Sequence, residues 1–496
     1  MAGGSQCPSR MAACQGNMCT CHVCLGIGAI IDETFKILDL YGWLLDSYIV
    51  DFFQEDLWGK LPRPWARTLE NVSLDELGSW ILRERRPRHV WPLSLIALRQ
   101  LIDLLSVNRN PSMRSPFACS SSPLNPHVLE TSCENIAKDE RLNKYQNLFQ
   151  KHVKKKKRYE IEKFSEIVAR CKHLSKSSCI VDTGAGMGHL ARELAYKYHL
   201  PVICIEQDKS LSELARKLDK QFMQKFETYL PGFCGVPPYH LCAKIVDESC
   251  RGGELPREFK EILRNYFLQQ SNDNGFGLIG LHPCGDLAAR LLKFYVGQER
   301  AKFISVVGCC YMKLTINEDE TANAKGYPLS KYVARNSSHS LSYAALEVAC
   351  HAVENYSDKI KNNDYEDLKV HGYRATLEKI FIDKGGIAMR HGKVGSVRVN
   401  NEMSFEEYCR LATEKLDVNR RINISEINHA EVDECLAKWR QVVAFEALRF
   451  MLAPLVETVI LLDRFLFLSD NNLKPVLKAE FNPRLSPRNF VLTSIK

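Results

Sequence analysis

Four stretches of the chain carry residue types whose order suits chemistry. Asp182-Thr183-Gly184-Ala185-Gly186-Met187-Gly188 sets an acid directly before three alternating glycines. Glycines accept the positive-φ turns of such a loop and let backbone N–H groups come close to a ligand. The leading acid departs from the dinucleotide pattern. Glu206 follows 22 residues after Gly184, where a carboxylate at a strand end accepts ribose hydroxyls. His282-Pro283-Cys284-Gly285-Asp286 pairs an imidazole with a carboxylate. Together they would orient or deprotonate an acceptor; alternatively they shape a turn, with Asp286 capping a helix. Cys309-Cys310 offers adjacent thiols. They are nucleophiles if their pKa is lowered, metal ligands together with Cys284 and His282, or buried apolar residues.

The surrounding sequence must place these groups. Cys179-Ile180-Val181 reads as a short buried strand, and the residues from Leu190 as a helix with Leu190, Leu194 and Tyr198 on one face. Strands are expected over 201–206, 240–246, 277–282 and 303–310, with helices over 211–226, 255–270 and 286–295 between them. Strict βαβ alternation predicts a parallel, doubly wound α/β sheet. In such a sheet ligands bind beyond the carboxyl ends of the strands, which is where all four stretches fall. Residues 312–440 break the rhythm and read as a helical insertion. A long apolar helix over 436–468 and two late strands, 476–481 and 489–495, follow.

Upstream, residues 1–28 read as a disordered leader with Cys7, Cys14, Cys19, Cys21, Cys24 and His22. Residues 29–105 read as a helical N-terminal region, and the Ser/Pro/Asn-rich 106–135 as a linker; 136–496 then form one catalytic domain. The 496 residues, 45% hydrophobic and 25% charged, have a globular composition. No basic n-region with an apolar core opens the chain, so the 19 cysteines are expected to be mostly reduced thiols in a cytoplasmic or nuclear protein. The alternative is membrane association through 445–468, a stretch that hydropathy alone would label a span. It carries Glu446, Arg449, Glu457, Asp463 and Arg464, and charges at a span's centre cost roughly 2.5–3.5 kcal/mol each; a buried helix is the expectation. The net charge of +8 permits a nucleic-acid partner. The run Lys151-His152-Val153-Lys154-Lys155-Lys156-Lys157-Arg158 stands just upstream of the first core strand, where it would face a polyanion.

The glycine loop resembles motif I of class I S-adenosylmethionine (SAM) methyltransferases. The stretches 181–190, 281–287 and 307–311, together with His371-Gly372-Tyr373-Arg374-Ala375 and Ser486-Pro487-Arg488-Asn489, resemble the methyltransferase-like 25 family from about residue 29 onward. The resemblance implies a class I, Rossmann-like fold and SAM as cofactor. Asp182 would face the cationic amino-acid end of SAM, Gly184, Ala185, Gly186 and Gly188 would cradle it, Glu206 would hold its ribose, and Asp247 would meet its adenine. His282, Cys284, Asp286, Cys309 and Cys310 would line the acceptor pocket, with no resident metal. The acceptor is expected to be RNA, ribosomal or transfer; a protein side chain, or RNA binding without catalysis, is the alternative. The (N/D/S)-P-P-(Y/F/W) motif typical of adenine-N6 methylation is missing after the fourth strand, which disfavours that atom.

Overall fold

The computed structural model describes residues 22–113, 117–118, 122–124, 153–229, 236–244, 275–316, 326–362, 365–385, 390–391, 394–397, 399–400, 402–416 and 428–496. An eight-stranded sheet runs through its centre. The strands are β1 (Phe117–Ala118), β2 (Cys179–Thr183), β3 (Val202–Glu206), β4 (Tyr239–Cys242), β5 (Phe276–Cys284), β6 (Ala301–Cys309), β7 (Val476–Ala479) and β8 (Phe490–Ile495). Their order is β1-β7-β8-β6-β5-β2-β3-β4. Strands β2 to β6 pair in parallel, and β8 slots antiparallel between β6 and β7. This is the doubly wound, Rossmann-like arrangement expected of a class I methyltransferase, with the short β1 added at one edge. The chain order reverses between β2 and β5, so a crevice opens above their carboxyl ends.

Helices α1 (His22–Asp46), α2 (Arg63–Asn71), α3 (Leu74–Ile81) and α4 (Leu93–Leu105) precede the sheet. Helices α5 (Lys155–Ser175), α6 (His189–Lys197), α7 (Lys209–Tyr229) and α8 (Asp286–Gly297) accompany its parallel part. The insertion contributes α9 (Lys331–Ala334), α10 (Tyr343–Val348), α11 (Val353–Lys361), α12 (Tyr365–Gly385), α13 (Phe405–Thr413) and α14 (His429–Ala437). The long α15 (Trp439–Asp470) leads into β7.

Alternation along the strands divides the core in two. Cys179 and Val181 face one side with α8, α15 and the N-terminal helices. Ile180 faces the other with α5 and α6. Burial on both faces explains why β2 reads as a continuous apolar run.

Three boundaries differ from expectation. The first helix begins at His22, inside the stretch expected to be a disordered leader, and Cys24 is buried in the main core; Cys7, Cys14, Cys19 and Cys21 lie outside the described residues. The helices before residue 106 are not a separate unit, because α1 packs along α15 and shares its core. The start of the expected linker is also anchored. Val107 N–H donates to Thr458 Oγ1 at 2.9 Å, and Arg109 pairs with Glu354 at 2.9 Å and with Glu457. Composition alone marks 106–135 as a connector; the anchoring partners lie more than 240 residues away.

Helix α15 explains its own composition. Glu446, Arg449, Glu457, Asp463 and Arg464 are all buried, yet four of them have close polar partners. Arg449 donates to Glu446 at 2.6 Å, Tyr311 Oη donates to Glu457 at 3.1 Å, and Asp463 accepts from the Leu329 and Ser330 amides at 2.8 Å each. Arg464 lies over the Tyr311 ring, 5.7 Å from its centroid. Paired charges are tolerable in a protein core. Among the described residues no helix is long and apolar enough to cross a membrane.

Candidate active site

The loop after β2 is built as the glycines require. Gly184, Gly186 and Gly188 have φ of +68°, +55° and +71°. A Cβ at Gly188 would come within 2.9 Å of His240 Cε1, whereas one at Gly186 would meet nothing within 4 Å. The loop is therefore packed at its far end and open in its middle. Its base is fixed by Thr183 Oγ1, which donates to Ile279 O at 2.7 Å, and by the Gly184 N–H to Ile205 O bond of 2.8 Å.

Asp182, one residue before the end of β2, is 2% exposed, and its Oδ2 has no hydrogen-bond partner. Burial raises its pKa to about 7, and Glu206 adds to the rise while Lys157 opposes it. A buried carboxylate oxygen without a partner is costly; it is the kind of group a cationic ligand would satisfy.

Glu206 lies at the end of β3, and its carboxylate holds the loop itself. Oε2 accepts from Gly186 N–H at 2.8 Å and Oε1 from Asp208 N–H at 3.0 Å. It still lines the crevice, a cavity of about 290 Å³ walled also by Gly184, Gln207, Lys244, Cys284, Asp286, Leu287 and Arg290. Asp247 lies outside the described residues. Ala185 sits in the loop between Gly184 and Gly186, half-buried.

The loop has a brace that its own motif does not announce. Arg192, fully buried on α6, donates to Met187 O at 2.9 Å and pairs with Asp219 of α7 at 3.1 Å. Asp219 in turn lies 2.5 Å from His240 Nε2 on β4. These residues are 21 to 27 positions apart in pairs. The only sign of the brace in the sequence is a charge on the apolar side of a short helix.

The end of β5 and the start of α8 carry His282 and Asp286. His282 has φ +65°, and its Nε2 lies 3.2 Å from Glu160 Oε2 on α5. Burial pushes the Glu160 carboxyl up, but His282, Ser486 and Lys156 together outweigh it and hold the group below its ordinary value. Glu160 is not legible as a site residue from the sequence, because it stands in a charged helical run. Asp286 opens α8, and both its oxygens are occupied by Thr315: Oδ1 accepts from the amide at 2.8 Å, Oδ2 from the hydroxyl at 2.6 Å. Asp286 thus lines the cavity and at the same time fastens the loop that follows β6.

Cys284, Cys309 and Cys310 come together at the ends of β5 and β6. Their sulfur atoms all lie within 4.8 Å of one another, with Cys284 to Cys310 at 3.3 Å and Cys309 to Cys310 at 3.5 Å. Cys284 is exposed and the other two half-buried, so they are not apolar core residues. Contact with Cys309 holds the Cys284 thiol well below its ordinary pKa, and the same contact pushes Cys309 up.

Of the basic run, Lys151 and His152 lie outside the described residues. Lys154 to Lys157 are exposed at the start of α5, whose first turn contains no acid. One turn later, the same helix presents Glu160 to His282, so the cations stand beside the crevice.

Residues 156–317 match a family model described as a methyltransferase domain. "Probable methyltransferase-like protein 25" from Mus musculus is 29% identical over 227 residues, covering 44% of this chain and 37% of that protein. The protein of the same name from Homo sapiens is 28% identical over 226 residues, covering 44% and 36%. The match thus spans little more than a third of these relatives' length. A crystal structure of an S-adenosylmethionine-dependent methyltransferase from Clostridium acetobutylicum ATCC 824 aligns at 12% identity over 37% of this chain and 64% of that one, with a TM-score of 0.20, too loose a superposition to carry an argument.

Proposed function

We propose that the chain, whose residues 156–317 are a methyltransferase domain similar to that of the methyltransferase-like 25 proteins, transfers a methyl group from SAM to RNA. One observation carries the donor assignment: Asp182, a buried carboxylate whose Oδ2 has no hydrogen-bond partner, stands at the base of a glycine loop whose middle is open. When bound, SAM supplies an electrophilic methyl on a sulfonium. Asp182 would neutralise its ammonium, the loop amides and Glu206 would hold the nucleoside, and Arg290, Lys244 and Leu287 would close the crevice around it.

The acceptor assignment is supported by α5. Lys155, Lys156 and Lys157 crowd the positive end of the helix dipole. Each cation in that position costs about 0.3–1 kcal/mol at the surface, and phosphates of a nucleic acid would offset the cost. Glu160 fixes the imidazole of His282 beside these cations, where it can orient an acceptor entering from the same side. Rate enhancement of such a transfer comes chiefly from alignment.

Labelled SAM offered to fractionated RNA and protein tests the reading, with Gly186→Arg, which fills the open middle of the loop, as the control. RNA labelled by the parent chain and unlabelled by Gly186→Arg is expected. Label confined to protein would overturn the RNA assignment; no label in any fraction despite measurable SAM binding would overturn catalysis.

A further inference from the structure

The three thiols at the ends of β5 and β6 have no chemical step in the proposed methyl transfer, although they stand where the acceptor pocket is expected. Two of them are sequence neighbours at a strand end. The third is brought alongside by the parallel pairing of β5 with β6, in which Cys284 is the register partner of Cys309. The backbone holds them there. Cys310 has φ +50°, and Gly285 has φ +56° with Lys313 O only 2.6 Å from where a Cβ would stand. Asp286 then locks the following loop through Thr315.

We infer that Cys284, Cys309 and Cys310 bind a thiophilic divalent cation of the zinc class, with a fourth coordination position left beside the crevice. A tetrahedral ion with sulfur bonds of about 2.3 Å puts its sulfurs about 3.8 Å apart. The sulfurs here are 3.3 and 3.5 Å apart in the two closest pairs and within 4.8 Å in all three, so small side-chain rotations seat such an ion. Three thiolates select a soft or borderline metal over magnesium or calcium. Three protein ligands with an open position are the arrangement of a working metal site; closed four-ligand sites are structural. Each thiol gives its proton to solvent as it ligates. Cys284 also lines the cavity, so the open position lies at its rim, where it would seat an oxygen, nitrogen or sulfur donor of the methyl acceptor. That use rests on the methyltransferase reading; the binding of the ion does not.

The second group with ligand geometry among the described residues, Asp51, Glu378 and His391, already has a side-chain cation on Asp51. Arg390 donates to Asp51 at 2.8 Å and His391 contacts the same carboxylate at 2.8 Å.

The full chain, stripped with a chelator under reducing conditions and reloaded with zinc alone, tests the site by elemental analysis. One tightly held equivalent per chain is expected. Cys284→Ser and Cys310→Ser should each weaken binding by more than about 100-fold, beyond the cost of losing an outer-shell partner. The quadruple variant Cys7→Ser, Cys14→Ser, Cys19→Ser, Cys21→Ser should keep the ion. Cobalt loading of the parent chain should give a thiolate charge-transfer band of three-sulfur intensity, which needs no variant to fold. No tight equivalent, zinc retained by Cys284→Ser, zinc lost from the quadruple variant, or a Cys284–Cys310 disulfide as the stable state in reducing buffer would each overturn the site. A chain that transfers methyl groups equally well without zinc would remove the proposed use and leave the ion.

Discussion

His282 Nε2 and Glu160 Oε2 lie 3.2 Å apart, joining the end of the fourth parallel-sheet strand to a helical residue 122 positions earlier in the chain. The carboxylate is buried and the imidazole three-quarters so, which fixes the ring's direction. Glu160→Gln removes the charge and keeps the shape. Label transfer should fall by about 10²-fold, the cost of a misplaced group near reacting atoms, while SAM affinity by calorimetry stays within about twofold. An equal loss in both would show that Glu160 serves the fold alone.

Asp182 makes donor binding depend on pH. Its folded pKa, about 7, lies above the ordinary 3.8 because burial disfavours the charge. Folding therefore takes up a proton between those values. The stability penalty is absent below 3.8, grows as pH rises toward 7, and is constant above. Asp182→Asn should melt higher than the parent at about pH 8, and the difference should close by about pH 4. A cationic ligand needs the ionised form, so SAM affinity of the parent should strengthen as pH rises through about 7, until the ligand's own α-ammonium begins to lose its proton at about 8. Calorimetry at several pH values reads this directly; a flat profile would contradict it.

Arg109 ties the segment before the sheet to α15 and α11 through Glu457 and Glu354. Arg109→Met leaves two buried carboxylates short of their counter-charge and should cost about 3–5 kcal/mol in denaturant unfolding. Adding Glu457→Gln to that variant should restore part of the loss. If the double variant is less stable than Arg109→Met, the pair is not the source of the effect.

Gly285 has φ +56°, and its missing Cβ faces the Lys313 carbonyl at 2.6 Å. Gly285→Ala should destabilise the chain by about 1–3 kcal/mol, the range for a strained backbone position. It should also separate β5 from the loop after β6, so alkylation of Cys310 should quicken. A melting curve and a thiol-labelling time course check both outcomes.

If Lys154 to Lys157 meet phosphates, replacing them by alanine should weaken RNA binding uniformly across sequences. The slope of log affinity against log salt should shrink by about 0.7 for each phosphate of a single strand that is no longer neutralised. An unchanged slope would place the polyanion elsewhere.

Much of this architecture is written locally in the sequence. The loop from Asp182 to Gly188, the strands around it and the terminal hairpin all follow from patterns a few residues long, and the sheet obeys them. What is not legible depends on partners far apart in the chain. Glu160 is one acid in a charged helical run until β5 brings His282 to it. Arg192, Asp219 and His240 brace the loop from three separate elements. Asp286 stands where a residue facing an acceptor would stand; only the fold reveals that Thr315 occupies both its oxygens.

The packing of α1 on α15 brings Cys24 Sγ within 3.6 Å of Ser469 Oγ, across 445 positions. On a ribosome, the apolar face of the first described helix emerges long before its partner exists. The parallel strands β2 to β6 can pair meanwhile, but β8, which closes the sheet between β6 and β7, arrives last. Nascent chains halted before residue 439 would therefore show a greasy helix to solvent and be clients for holding chaperones, and release of those chaperones should coincide with synthesis of α15.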